Sequence, residues 1–255
     1  MKKILILTLI MIFTFGVFIS ADDLTGKEII SRVDQEIKID NKLMEEEMIL
    51  ISDSGTERSR SLNIWNKQGQ DDEKMLLKFT EPANIKGTGF LMIGDDMWLY
   101  LPALGKIKRI AGSAKKGNFM GSDLSYEDME ALGNTGFLDD YEVEKLSNNK
   151  VDDKETYHLK LMPTDKDLSY TKLEMLVDKD LFLPVKIDYY TNDGKLLKTL
   201  RTYDHQKISG HNIAMRMEME NVESGSKTIL KVYKVEFSDE LKKEIFTIRN
   251  LERGV

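Results

Sequence analysis

The residues able to do chemistry are few and scattered. Three histidines, His158, His205 and His211, are the only imidazoles, and there is no cysteine. His205 and His211 flank an expected turn at Lys207–Gly210, with Asp204 beside them. Two imidazoles and a carboxylate across a hairpin could hold a metal, but this spacing matches no established ligand pattern. They read as surface histidines, and no metal or cofactor is implied. Without cysteine there is no thiol nucleophile, and no G-x-S-x-G elbow presents a serine. Gly112 to Gly117 resembles a phosphate loop but places Asn118 where the lysine belongs. The acidic pairs Glu45–Glu47, Asp71–Asp72 and Asp152–Asp153 read as solvated turns or strand ends. No catalytic residue is assigned.

The apolar residues say more. Met215, Met217 and Met219 alternate along one segment, where β-branched residues normally lead. Methionine is flexible and suits surfaces that accept variable apolar shapes. Met44, Met48, Met75, Met92, Met97 and Met175 add enough to line a cavity. The candidate ligand-binding set is Ile29, Val33 and Ile37 on a helix, with Met75, Leu77, Phe79, Met97, Leu99, Met215, Met217 and Met219 on strands. The matching ligands are acyl chains, held by area burial at ~0.8 kcal/mol per methylene. The plainer alternative is a core built from these residues.

One long segment does not read as scaffold. Ala111 to Leu132 contains Gly112, Gly117 and Gly121, follows the basic Lys106, Lys108 and Arg109, and carries Lys115 and Lys116. Phe119, Met120 and Leu124 are its apolar contacts. Lys115, Lys116, Phe119, Met120 and Leu124 form a candidate lid or partner-docking loop, since long loops are often functional. The alternative is a surface loop pinned by its aromatic. Ser125 and Asp128 predict a cap for a short helix after it.

These residues need elements to position them. Thr25 with Glu28 forms a capping box, and Ile29, Val33 and Ile37 give one apolar stripe, so a helix is predicted over Thr25–Ile39. Strands are predicted at 44–51, 61–65, 74–80, 90–93, 97–101, 106–110, 141–146, 156–162, 173–177, 185–189, 213–220 and 228–237. Asn148–Asp153 reads as a polar turn and Asn192–Asp193–Gly194 as a hairpin turn. From Glu240 a short helix and a final extended piece are expected. The fold class is mainly β: a large curved antiparallel sheet forming an incomplete barrel, with helices covering the concave apolar side. A two-sheet sandwich with the helix outside is the alternative.

Lys2 and Lys3, the apolar run Ile4–Ile19 and the small Ser20–Ala21 read as a signal peptide over residues 1–21, leaving 22–255 as a single domain. The mature chain is therefore expected to be exported. Formal net charge is -7, and the loss of Lys2 and Lys3 makes it more negative. An acidic chain of this kind is a poor partner for nucleic acid.

The stretch Met97 to Met129, MWLYLPALGKIKRIAGSAKKGNFMGSDLSYEDM, resembles the outer-membrane lipoprotein-sorting protein family, related to the LolA-type carriers. EPANIKGTGFLMI, Glu81 to Ile93, and DKDLFLPVKIDYY, Asp178 to Tyr190, are similar to it as well. The resemblance implies a non-catalytic periplasmic protein that carries or holds lipid or lipoprotein acyl chains under a LolA-like incomplete barrel. It implies as partners a membrane transporter of the resistance-nodulation-division class or an outer-membrane acceptor. The arginine that latches the lid in those carriers is matched to no residue here. Other readings are an envelope interaction module that supports a transporter complex without lipid, and an envelope hydrolase.

Overall fold

The computed structural model describes residues 24–39, 41–67, 73–132, 136–151, 154–165, 168–238 and 240–253. The signal-peptide reading over 1–21 and the pairs Asp71–Asp72 and Asp152–Asp153 lie outside the described residues.

Period-two alternation with short turns produces one antiparallel sheet of fourteen strands. These are β1 Lys42–Ile51, β2 Glu57–Lys67, β3 Lys74–Glu81, β4 Gly89–Ile93, β5 Asp96–Leu101, β6 Lys106–Ile110, β7 Tyr141–Lys145, β8 Asn149–Val151, β9 Lys154–Pro163, β10 Lys172–Asp178, β11 Pro184–Tyr190, β12 Leu196–Ile208, β13 His211–Asn221 and β14 Lys227–Phe237. The order across the sheet is β6-β5-β4-β3-β2-β1-β14-β13-β12-β11-β10-β9-β7, with β8 paired to β9 outside this path. Two meanders thus run outward from a central seam made by the first and last strands, with Lys42 opposite Phe237 and Ile51 opposite Lys227. The edges β6 and β7 do not pair, so the barrel stays open.

Laid flat, the strands on this path would span roughly 60 Å at the usual inter-strand spacing. Yet one apolar cluster gathers Met75, Phe90 and Met97 from one meander with Leu159, Leu173 and Met175 from the other. The sheet is therefore bent round a shared interior. The expected curved sheet is present, and so are the helices on its inner side.

Helix α1, Gly26–Ile37, starts with the predicted box: Glu28 N donates to Thr25 Oγ1 at 3.3 Å and Thr25 N to Glu28 Oε2 at 2.8 Å. Ile29, Ile30 and Val33 are fully buried beneath it. Its first turn lies on β7, where a Cβ on Gly26 would stand 3.0 Å from the Lys145 nitrogen. Further along, Asp34 accepts from the Phe137 and Leu138 backbone nitrogens at 2.8 and 3.0 Å. Gly136 permits this, since a Cβ there would come 2.6 Å from Asp34 Oδ2. Helix α2, Tyr126–Leu132, continues the long loop, and α3, Ile248–Arg253, ends the described chain.

α3 departs from the expected arrangement, for it lies on the outer face of the sheet. Leu251 and Phe246 cover Leu76 and Leu91, which point away from the interior. Lys78 Nζ donates to the Asn250 and Leu251 carbonyls at 3.0 and 2.9 Å. No helix among the described residues is long and apolar enough to cross a membrane.

Candidate functional site

The interior is filled unevenly. Over β2–β5 it is packed, and the long loop does the packing. Phe119 is completely buried, with ring centroids 5.3 Å from Phe90, 5.5 Å from Tyr126 and 6.2 Å from Phe79. Leu124 is buried beside it, and Met120 is half-buried against the same cluster. The loop is then tied down at several points. Asp123 accepts from Thr228 Oγ1 at 2.8 Å and from Ser226 Oγ. Arg60 Nη1 donates to the Met120 carbonyl at 2.7 Å, so an arginine that sequence reasoning did not single out fastens this loop to β2. Lys115 pairs with Glu130 at 3.3 Å, while Lys116 is exposed.

A polar clasp joins the end of that loop to the sheet. Ser125 and Asp128 form the predicted box, Ser125 N donating to Asp128 Oδ2 at 2.6 Å and Asp128 N to Ser125 Oγ at 3.0 Å. Asp128 also accepts from Tyr170 Oη at 2.8 Å and Lys198 Nζ at 3.0 Å. All three side chains are buried. Burial, with the Asp128 charge behind it, raises the Tyr170 phenol far above its usual range. The clasp borders a recess of about 620 Å³ that also carries Glu127, Glu130 and Asp140. Burial raises the Glu130 and Asp140 carboxyls.

The histidines are held apart. His158 lies 3.5 Å from Glu174, His205 Nε2 is 3.0 Å from Thr202 Oγ1, and the His211 ring lies tilted against Phe237 with centroids 4.9 Å apart. Among the described residues no three His, Cys, Asp or Glu side chains are grouped to hold a metal ion.

Across the seam the packing stops short. Beneath the last turn of α1 lies a hollow of about 160 Å³, overwhelmingly apolar in lining. Ile37 of α1 and Ile39 just beyond its end line it, with Met44, Leu132, Phe137, Leu200 and Met217 among its apolar residues. Its size is comparable to engineered apolar cavities of ~150 Å³ that stay dry and take up benzene. At this end of α1 Asn212 Nδ2 donates to Glu36 Oε2 at 3.3 Å.

Of the candidate ligand-binding residues, Ile37 and Met217 line this hollow. Ile29, Val33, Met75, Leu77, Phe79, Met97, Leu99 and Met219 lie in the adjoining packed core. Met215 borders a different groove on the sheet, with Asp204, Arg216 and Tyr233.

Two charged residues on the hollow escaped sequence reasoning. Lys42 and Glu46 stand on the same face of β1 as Met44, Met48 and Leu50, and both are buried. Burial raises Glu46 to about 7, against the pull of Lys42. Burial likewise lowers Lys42 to about 8, opposed by Glu46 and Glu73. The signal was available: even-numbered positions from 42 to 50 share one face of a strand. The triple run Glu45–Glu47 hid it by suggesting a solvated stretch, whereas only Glu45 of the three is exposed.

Comparison with known proteins agrees with this architecture. A family model described only as an uncharacterized protein matches residues 71–253. A DUF1329 family protein from Desulfovibrio piger is 31% identical, covering 89% of this chain and 97% of its own, with a TM-score of 0.83. An outer membrane lipoprotein-sorting protein domain from Vibrio parahaemolyticus is 30% identical over 92% of this chain and 100% of its own, with a TM-score of 0.82. A LolA superfamily protein from Nitrosomonas europaea is 25% identical over 89% and 99% of the two chains, with a TM-score of 0.73. No curated protein matches the chain.

Proposed function

We propose, since this chain belongs to the outer-membrane lipoprotein-sorting protein family related to the LolA-type carriers, that it holds lipid or lipoprotein acyl chains in the hollow beneath α1, in the periplasm and without catalysis. The observation that carries this reading is an apolar hollow left between the sheet and the last turn of α1. Protein interiors close such voids unless something keeps them, because unfilled space forfeits dispersion contacts.

In its closed form the hollow takes the end of a chain. A longer chain enters as the last turn of α1 lifts away from Met44 and Met217, while Asp34 and the capping box hold the rest of the helix. Each further methylene adds ~0.8 kcal/mol of burial. Loading is then a shift between two populations that the ligand binds unequally. Release follows on contact with a stronger acceptor, an outer-membrane protein or a transporter of the resistance-nodulation-division class.

The test is direct. The mature protein is purified, its bound lipid is extracted for mass spectrometry, and a fluorescent acyl probe is titrated into the emptied protein. Met217→Asp, in the hollow, is expected to weaken the probe at least tenfold. Met215→Asp, on the same strand but outside the hollow, is expected to leave it unchanged. Absence of lipid together with refusal of the probe by the unaltered protein would remove the carrier reading and leave that of an interaction module.

A further inference from the structure

We propose that the hollow selects its cargo by the head group as well as the chain, taking an amphiphile whose alkyl part ends in an uncharged hydrogen-bond donor, a hydroxyl or amide N–H, received by the carboxylate of Glu46. This rests on the carrier reading and adds the chemistry of the cargo to it.

The geometry points to Glu46 by elimination among the ionisable groups on the walls, which are Glu36, Lys42, Glu46 and His205. Glu36 accepts from Asn212, His205 is bonded to Thr202, and Lys42 has an interaction of its own. Glu46 is 4% exposed, and among the described residues no hydrogen bond or ion pair reaches its carboxylate. A carboxylate has acceptor sites for about four hydrogen bonds. Neither Glu46 oxygen is among the enclosed polar atoms without a partner, so the carboxylate opens onto the hollow, where a ligand's donor can reach it. Lys42 acts on Glu46 through its field, and burial still outweighs that attraction. A wall of leucine or methionine would serve an all-hydrocarbon ligand better, so Glu46 marks the point where the ligand stops being hydrocarbon.

Charge sets the class of head. An anionic head would meet Glu46 and Glu36 together. A cationic head would compete with Lys42, which lies on the same strand face. An uncharged donor satisfies Glu46 without opposing either. Natural sources differ in this chemistry: a free fatty acid presents a carboxylate, whereas an acylglycerol presents a hydroxyl and an acylated polypeptide N-terminus an amide N–H.

The experiment uses the mature protein at pH 8, on the ionised side of the Glu46 titration. Decanol and decanoate, each below its aggregation limit, are made to displace a fluorescent acyl probe. Decanol is expected to bind roughly tenfold more tightly than decanoate, the scale of one hydrogen bond to a charged acceptor. Glu46→Leu should cost decanol about that factor and improve decanoate. Glu46→Gln, which keeps the shape and an acceptor oxygen, should retain decanol binding. Equal affinities for the two probes, or unchanged decanol affinity in Glu46→Leu, would overturn head-group recognition while leaving the carrier reading intact. Failure of every probe to bind the unaltered protein would overturn both.

Discussion

The two meanders treat one interior differently. Over β2–β5 the long loop drops Phe119 between Phe79, Phe90 and Tyr126, and its ring is completely buried there. Across the seam, α1 ends before it can do the same, and Ile37 roofs a void instead. Both regions carry the same alternation of apolar residues, and both contain methionines. The difference is what arrives from outside the sheet: a buried aromatic in one case, a helix end in the other. An apolar face is therefore not by itself a binding face, because occupancy is decided by the covering segment.

The comparison can be broken at four points, in falling order of expected effect. Asp128→Ala removes the carboxylate half of the capping box and strands the buried Lys198 ammonium without its carboxylate. It should cost ~3–5 kcal/mol in a urea unfolding series. If the cost is near zero, the clasp does not hold the two halves together. Phe119→Ala should cost ~3–4 kcal/mol and create a second void. That variant should acquire benzene or xenon binding near Phe90, so the packed half would come to imitate the hollow one. Arg60→Leu frees one carbonyl of the loop and should cost ~1–2 kcal/mol. Its signature is faster amide exchange around Leu124, with exchange along α1 unaltered.

The fourth change lies in the hollow and should act in the opposite sense. Glu46→Leu removes a desolvated carboxyl from an apolar wall. Because the folded state holds this proton to about 7, against an ordinary 4.5, the folded form binds more protons than the unfolded form between those values. The carboxyl therefore lowers stability progressively as pH rises through that window. Glu46→Leu should match the parent protein below pH 4.5 and exceed it above pH 7, as read from paired unfolding curves. A difference that shrinks with rising pH would mean that Glu46 is stabilised by a partner.

Much of the fold was legible because the physics was local. The Thr25–Glu28 and Ser125–Asp128 boxes needed only spacing, and most strands followed from period-two alternation. β12 did not, although it is the longest strand. Lys198, Thr199 and Leu200 are buried in succession, since Lys198 serves the Asp128 clasp and Thr199 bonds Asp188. Two buried polar residues in a row erase the alternation that marks a strand. β8 was hidden within a polar turn that pairs back on β9. The site was harder still. Ile37 and Met217 were visible as apolar positions, but nothing in the sequence separates them from Met75 or Leu77, which are packed solid. That distinction depends on where Phe119 and the end of α1 come to rest, and both are long-range outcomes. Lys42 and Glu46 could have been found from strand parity alone.

The seam between β1 and β14 has a consequence for assembly. Met44 and Glu46 come from the first strand and Val232 from the last, and together they wall the hollow. Either meander can form its hairpins from neighbouring segments, but the chamber exists only after the two are zipped to each other. Contacts so distant along the chain form slowly. The hollow is thus the last feature this polypeptide completes, and a chain with only one meander formed does not contain it.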